Sequence, residues 1–304
     1  MFASSPQIGV VYALLAFGTW GLTAIYFKAV GNVPPVEVLA HRVIWSVPLT
    51  ALFVSCSRDW PNLATALRDR RTLATLVVSA GLIGTIWFVF VYAVVTDRVL
   101  HASLGYFINP VVNVVLGVII LRERLRPMQW LAVALALVGT VNMTWSVGEL
   151  PWISLVLAFS FAFYGLLRKT VNVGPVSGLF VEASLLAPMA LGYLLFLEVR
   201  GQGAFSAGGF QLDLLLVAAG PITVLPLVWF TSGARRLRYA TIGVLLYLSP
   251  TLQFLLAVVV YREPFTHTHV VTFAFIWTGL AVFVGDSLMG QKRHRKGRPA
   301  RESS

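Results

Sequence analysis

The chain is a succession of long apolar runs, each ended by a few charged or turn-forming residues. Ten such runs can be bracketed, at 8–30, 36–57, 72–95, 102–121, 127–146, 151–168, 176–199, 213–233, 239–261 and 270–290. Most are close to the roughly 20 residues a helix needs to cross a hydrocarbon core of about 30 Å. Backbone in lipid must satisfy its own hydrogen bonds, so runs of this length read as helices. The expected fold is therefore an all-α polytopic membrane protein with ten transmembrane helices, antiparallel to their neighbours because most links are short. Composition agrees: 58% of the 304 residues are hydrophobic and 12% charged, with a mean hydropathy of +0.81, whereas soluble domains carry roughly a quarter charged residues. The first run has no Lys or Arg ahead of it, unlike a secretory signal. The single cysteine, Cys56, excludes an internal disulfide and a CxxC site.

The net charge of +11 suggests a nucleic-acid partner until the charges are placed. With the N-terminus in the cytoplasm, one side carries Arg58, Arg68, Arg70, Arg71, Arg122, Arg124, Arg126, Arg168, Lys169, Arg235, Arg236, Arg238 and six more after Gln291. The opposite loops carry only Arg98, Arg200 and Arg262. That bias follows the positive-inside rule and puts both termini in the cytoplasm. The basic tail, 291–304, reads as an anchor at anionic lipid, so the expected partner is the bilayer and no nucleic acid.

Sliding the chain against itself by 140 residues matches Lys28 with Arg168, Asn32 with Asn172, Pro35 with Pro175 and Pro48 with Pro188. The register continues through Pro110/Pro250, Arg122/Arg262, Glu123/Glu263 and Gly139/Gly279. Two repeats follow, 8–146 and 151–290, each with five spans. Five is odd, so the second repeat enters from the opposite side. Such inverted repeats belong to transporters, whose solute site lies near midplane between the halves.

The same register marks candidate site residues. Spans 3 and 8 are expected to be interrupted at matching places, at Gly81 and Gly84 in one and at Gly220, Pro221 and Pro226 in the other. Spans 4 and 9 share a proline, with Asn109 and Asn113 corresponding to Ser249 and Gln253. Paired breaks flanked by polar groups point to a cavity, the plainer alternative being kinked helices bonded to their neighbours. Arg42 sits roughly 10 Å along its helix from Pro35, and its repeat mate is Glu182; ionisable groups at such depth usually line a pathway. Glu37 and His41 share a helix face one turn apart and could relay a proton, although an acid in a first helical turn is also favoured by the helix dipole alone. Trp87, Tyr106, Trp229 and Tyr247 lie at mid-span, where they either line a pocket or pack. The expected solute site is thus Arg42, Trp87, Tyr106, Asn109, Asn113, Glu182, Trp229, Tyr247 and Gln253, with Glu37, His41 and Glu182 as coupling groups. His267 and His269 have no further ligand at metal spacing, so no metal site is expected.

GTWGLTAIYFKAV, EVLAHRVIWS, SLGYFINP followed by LRERL, and PITVLPLVWFTSGARRL together resemble the RarD branch of the EamA-type proteins in the drug/metabolite transporter superfamily. The resemblance runs from about Gly9 to Asp286. It implies a ten-helix permease of the bacterial inner membrane built from two EamA-like repeats, whose members are described as chloramphenicol-sensitive proteins or exporters of unsettled substrate. Ile86-Trp87 stands where the family tends to have Asn-Trp, and His101 where it commonly has an acid.

The expected function is secondary transport of a small organic metabolite or drug-like solute by alternating access, by a monomer or homodimer. No phosphate loop of the GxxxxGK[ST] type is present, so no nucleotide cofactor is expected. A channel or a non-transporting sensor is the alternative. An enzyme would need a nucleophile with its base, paired aspartates or HExxH, and none is found.

Overall fold

The computed structural model describes residues 6–31, 33–95, 99–147, 152–260 and 267–296. The outward placement expected for Arg98 and for Arg262-Glu263, the Asn32 half of one repeat pair, and the tail beyond Lys296 lie outside these residues. The described chain is helical, with no strand. Its helices are α1 (Pro6–Val30), α2 (Pro35–Cys56), α3 (Trp60–Arg68), α4 (Arg70–Val95), α5 (Val99–Ile119), α6 (Pro127–Val147), α7 (Trp152–Thr170), α8 (Pro175–Val199), α9 (Phe210–Arg236), α10 (Tyr239–Leu246), α11 (Leu248–Leu255) and α12 (His267–Lys296); a π-helical turn, Leu256–Val260, follows α11. Among the described residues seven helices are long and apolar enough to cross a membrane: α1, α2, α4, α6, α7, α8 and α9. The chain is therefore a polytopic, all-helical membrane protein.

Local chemistry sets several boundaries. α2 and α8 both start on a proline, Pro35 and Pro175, where the missing N–H costs nothing and φ is already helical. The short α3 was not expected. It is amphipathic, buries Leu63, and starts at Asp59, whose carboxylate accepts from Asn62 at 2.8 Å.

Two expectations need correction. Gly81, Gly84, Gly220, Pro221 and Pro226 do not interrupt their spans, since α4 and α9 run unbroken through them. Each proline removes one intrahelical bond, and the ladder on either side carries on. Gly220 instead permits close packing, because a Cβ there would stand 2.8 Å from the Trp45 backbone. Among the described residues the ninth span alone is interrupted, at Tyr247, just before Pro250. Pro250 cannot donate to the Leu246 carbonyl, which licenses a break at that turn. Its mate Pro110 leaves α5 continuous, so packing decides whether the missing bond becomes a break.

Contacts near the helix termini and the segments that join them define two ends. At the first, Lys169 Nζ donates to Ala234 O at 2.6 Å and to Leu237 O, Glu123 accepts from the Tyr239 and Ala240 N–H groups, and Arg126 pairs with Asp286 at 3.7 Å. At the second, Tyr26 Oη donates to Leu215 O at 3.1 Å and Asn142 Nδ2 to Thr272 Oγ1 at 2.9 Å.

Packing partners repeat at the 140-residue offset. α1 lies on α9 as α7 lies on α4; α5 lies on α7 as α10 and α11 lie on α1; α2 lies on α9 as α8 lies on α4. α2 meets α8 and α6 meets α12, each its own mate. At the second of these crossings a Cβ on Gly139 would stand 2.8 Å from Thr272 O, and one on Gly279 would stand 2.7 Å from Ala132 O. Those are two copies of one contact, since both residues of the first are offset by 140 from those of the second.

Candidate functional site: an interior cavity and a sealed polar cluster

A cavity of about 280 Å³ lies between α1, α2, α4, α5, α7, α9 and the α10–α11 break. Its walls come from the middles and second-end halves of these helices. Trp20, Phe27, Trp87, Phe90, Tyr106 and Phe161 supply its aromatic surface. Trp20 and Phe161 pack edge to face at 5.4 Å, with Phe230 filling in behind them.

Polar groups on the wall are mostly tied to backbone carbonyls, three of them on facing helices and Thr23 on its own. Asn109 Nδ2 donates to Ala158 O at 2.7 Å, Ser249 Oγ to Phe17 O at 2.8 Å, Gln253 Nε2 to Trp20 O at 3.2 Å and Thr23 Oγ1 to Trp20 O at 2.7 Å. Buried amides and hydroxyls need such partners, and here they fasten α5 to α7 and α11 to α1. Asn109 and Ser249 are repeat mates and make nearly equivalent bonds.

Arg42 is the one charged residue on the wall. Its Nε donates to Thr223 Oγ1 at 2.8 Å, and the guanidinium lies 5.4 Å from the Trp87 ring centre. Both contacts favour a planar, weakly hydrated cation. No carboxylate is within ion-pair distance of it among the described residues.

The structure gathers Arg42, Trp87, Tyr106, Asn109 and Gln253 from the expected solute site and leaves four others elsewhere. Asn113 is buried behind Asn109 and donates to its Oδ1 at 3.0 Å. Tyr247 is buried with its hydroxyl on Phe107 O at 3.2 Å. Trp229 packs on the main core. Glu182 has no exposed surface and lies in a separate cluster. The reason is helical phase: Trp229 and Tyr247 have the right depth but project from another face of their helices.

Glu182 receives the Ser79 hydroxyl on Oε1 and the Tyr164 hydroxyl on Oε2 at 3.2 Å, and faces Arg168 Nε at 3.5 Å. Arg168 is fully buried and reaches Pro175 O at 2.9 Å and Gly174 O at 3.3 Å. Gly178 makes room for it, since a Cβ there would lie 2.6 Å from Cζ. With Tyr239 Oη on Ala162 O and Lys169 on two α9-end carbonyls, this cluster lies toward the first end. Sequence reasoning passed over Arg168 and Ser79; the available signal was Arg168 standing at the repeat position of Lys28.

Glu37 and His41 sit apart from both. Glu37 Oε1 accepts from the Ala204 N–H at 2.6 Å, while the His41 ring lies 5.3 Å from Phe205 with neither nitrogen hydrogen-bonded among the described residues. Both are covered by the segment joining α8 to α9 and not by the cavity. No cluster of three metal-ligating side chains occurs among the described residues.

Many membrane-crossing helices around an aromatic cavity with one wall cation define a polytopic membrane protein with an interior cavity. Comparison with known proteins narrows that class. Residues 7–145 match the model of the EamA-like transporter family. Over 97% of its length the chain is 46% identical to Protein RarD of Escherichia coli (strain K12), covering all of that protein. An uncharacterized transporter of Vibrio cholerae is 43% identical over 95% of this chain and 96% of its own. The chloramphenicol-sensitive protein RarD of Pseudomonas aeruginosa is 33% identical over 95% and 98%. A solved crystal structure superposes with a TM-score of 0.69 over 90% of this chain and 96% of that one, at 20% identity, a likeness of fold alone. The chain belongs to the RarD family of EamA-like membrane transporters.

Proposed function

We propose that this protein is a secondary transporter that carries a small organic solute across the bacterial inner membrane by alternating access, with both termini cytoplasmic. It does so with ten membrane-crossing segments arranged as two inverted five-helix repeats, 8–146 and 151–290. The observation that carries this reading is the pairing of an interior cavity toward one end with a buried ion-pair cluster across the other. A channel needs a path through both ends at once, whereas a carrier needs one end shut while the other is open.

The repeat offset supports the same scheme. Arg42 on α2 bonds to a hydroxyl of α9, and its mate Glu182 on α8 bonds to a hydroxyl of α4, the helix equivalent to α9. The two positions are thus equivalent in packing but not in environment, one facing a cavity and the other sealed. In the opposite state their environments exchange: the Arg168–Glu182 cluster parts, and the second-end helices close over Arg42. The first end holds most of the described Lys and Arg residues and is the cytoplasmic one. The interruption at Tyr247 between α10 and α11 is the proposed joint for that motion.

Counterflow in proteoliposomes tests this reading. Solute trapped inside should drive saturable, transient accumulation of labelled solute, and flux that neither saturates nor exchanges identifies a channel. Binding without flux identifies a sensor. Glu37, His41 and Glu182 keep the proposed coupling role, tested by pH-driven uptake in Glu37→Gln.

A further inference from the structure

Two aspects of the cavity wall jointly restrict what it can hold. The first is the unbalanced cation. An arginine keeps its proton at physiological pH, and Arg42 faces the cavity with no carboxylate partner among the described residues. Its Nε is engaged by Thr223. The two Nη groups have no protein acceptor among the described residues, which leaves a planar fork of donors directed by a fixed Nε. That fork matches a carboxylate, which accepts two parallel N–H bonds.

The second is what the rest of the wall lacks. Its residues include no Asp, Glu or His, so an ammonium group would find no counter-charge and would feel repulsion from Arg42. The hydroxyls of Ser249 and Thr23, and one N–H each of the Asn109 and Gln253 amides, are committed to backbone carbonyls. Most of the remaining wall is aromatic and aliphatic, suited to an apolar body.

We infer that the cavity binds an organic monoanion, a carboxylate carried on an aromatic or apolar body, with Arg42 as the anion-binding residue and Trp87, Trp20 and Phe161 as the apolar clamp. This deepens the reading of the cavity as a solute site and rests on it. It also separates the solute from amines, from zwitterionic amino acids and from neutral amphipaths of the same shape.

The test compares 3-phenylpropionate, 3-phenylpropionamide, 2-phenylethylamine and phenylalanine by calorimetric titration of the purified protein in detergent. 3-Phenylpropionate should bind saturably, and the isosteric amide at least roughly tenfold more weakly, because it loses the charged hydrogen bonds. The amine and phenylalanine should bind no better than the amide. Arg42→Gln should remove the preference for the acid, and Arg42→Lys should keep it at reduced affinity. The wild-type comparison needs no variant, so it stands even if Arg42→Gln fails to fold. Equal binding of the acid with the amide, the amine or phenylalanine overturns the inference, as does absence of saturable acid binding or a well-folded Arg42→Gln that binds like wild type. Counterflow of the same compounds separates the two readings. Arg42-dependent acid binding without exchange removes transport and keeps the anion site; exchange of neutral or cationic solutes that ignores Arg42→Gln does the reverse.

Discussion

Glu182→Gln probes the buried ion pair at the first end most directly. The substitution keeps the shape of the side chain and an oxygen that can accept from Ser79 or Tyr164, and it removes only the charge. Arg168 then remains fully buried with two backbone carbonyls and no anion. Removing one member of a buried ion pair costs about 3–5 kcal/mol, because the stranded charge keeps its desolvation penalty and loses its compensation. Neither side chain is more than 1% exposed, so solvent screening does not discount that figure. Against a total stability of about 5–15 kcal/mol the loss is large, and the apparent melting temperature in detergent should fall on the order of 10 °C. Arg168→Gln should cost a similar amount by stranding Glu182. The double variant should be far milder than the sum, with a coupling of about 2 kcal/mol or more in a double-mutant cycle. A Glu182→Gln protein that melts with wild type, or two single effects that simply add, would refute the argument that the pair stabilises this end.

Three further outcomes follow from the structure. Gly139→Ala and Gly279→Ala each push a Cβ to within 2.8 Å of a backbone carbonyl on the partner helix; thermal melts should show nearly equal losses of about 1–3 kcal/mol, and a large loss in one with none in the other would contradict the equivalence of the two contacts. Pro250→Ala restores the N–H that can reach the Leu246 carbonyl, so it should close the α10–α11 break, raise stability by roughly 1–3 kcal/mol and slow counterflow; raised stability at an unchanged rate would remove the break from the transport cycle. Asp69 accepts from the Thr72 hydroxyl at 2.6 Å and from the Thr72 and Arg71 N–H groups, bonds that hold its carboxyl below the usual range. A depressed folded-state value contributes stability above the unfolded value and loses it as pH falls through the folded one. Melts recorded below about pH 4 should therefore show an acid-side loss in wild type that is smaller in Asp69→Asn, and identical slopes would exclude this contribution.

Legibility differed sharply between fold and site. The apolar runs mapped onto helices because each must satisfy its own backbone in lipid, and that demand is written locally. α3 was missed because its nine residues are too polar to stand out, although Asp59 with Asn62 was a visible start signal. The interruptions read into α4 and α9 failed because glycine and proline only weaken a helix locally, and packing of Gly220 on Trp45 makes use of the missing side chain. On the cavity wall, the positions of Arg42, Trp87, Tyr106, Asn109 and Gln253 were legible from depth and repeat register. Trp229 and Tyr247 had the same credentials, but their side chains turn into the core.

By itself the amino-acid sequence determined the membrane class, the position of nearly every helix, the 140-residue correspondence and the presence of a deep cation at Arg42. All four depend on composition and order along one chain. Tertiary structure alone decided that Arg42 and Glu182, interchangeable under the repeat offset, have opposite surroundings. Arg42 meets Thr223, Trp87 and open space, while Glu182 meets Arg168, Ser79 and Tyr164. Sequence offset specifies where a side chain stands on its own helix; only the relative placement of α4, α7 and α9 determines whether it meets a cavity or a counter-charge.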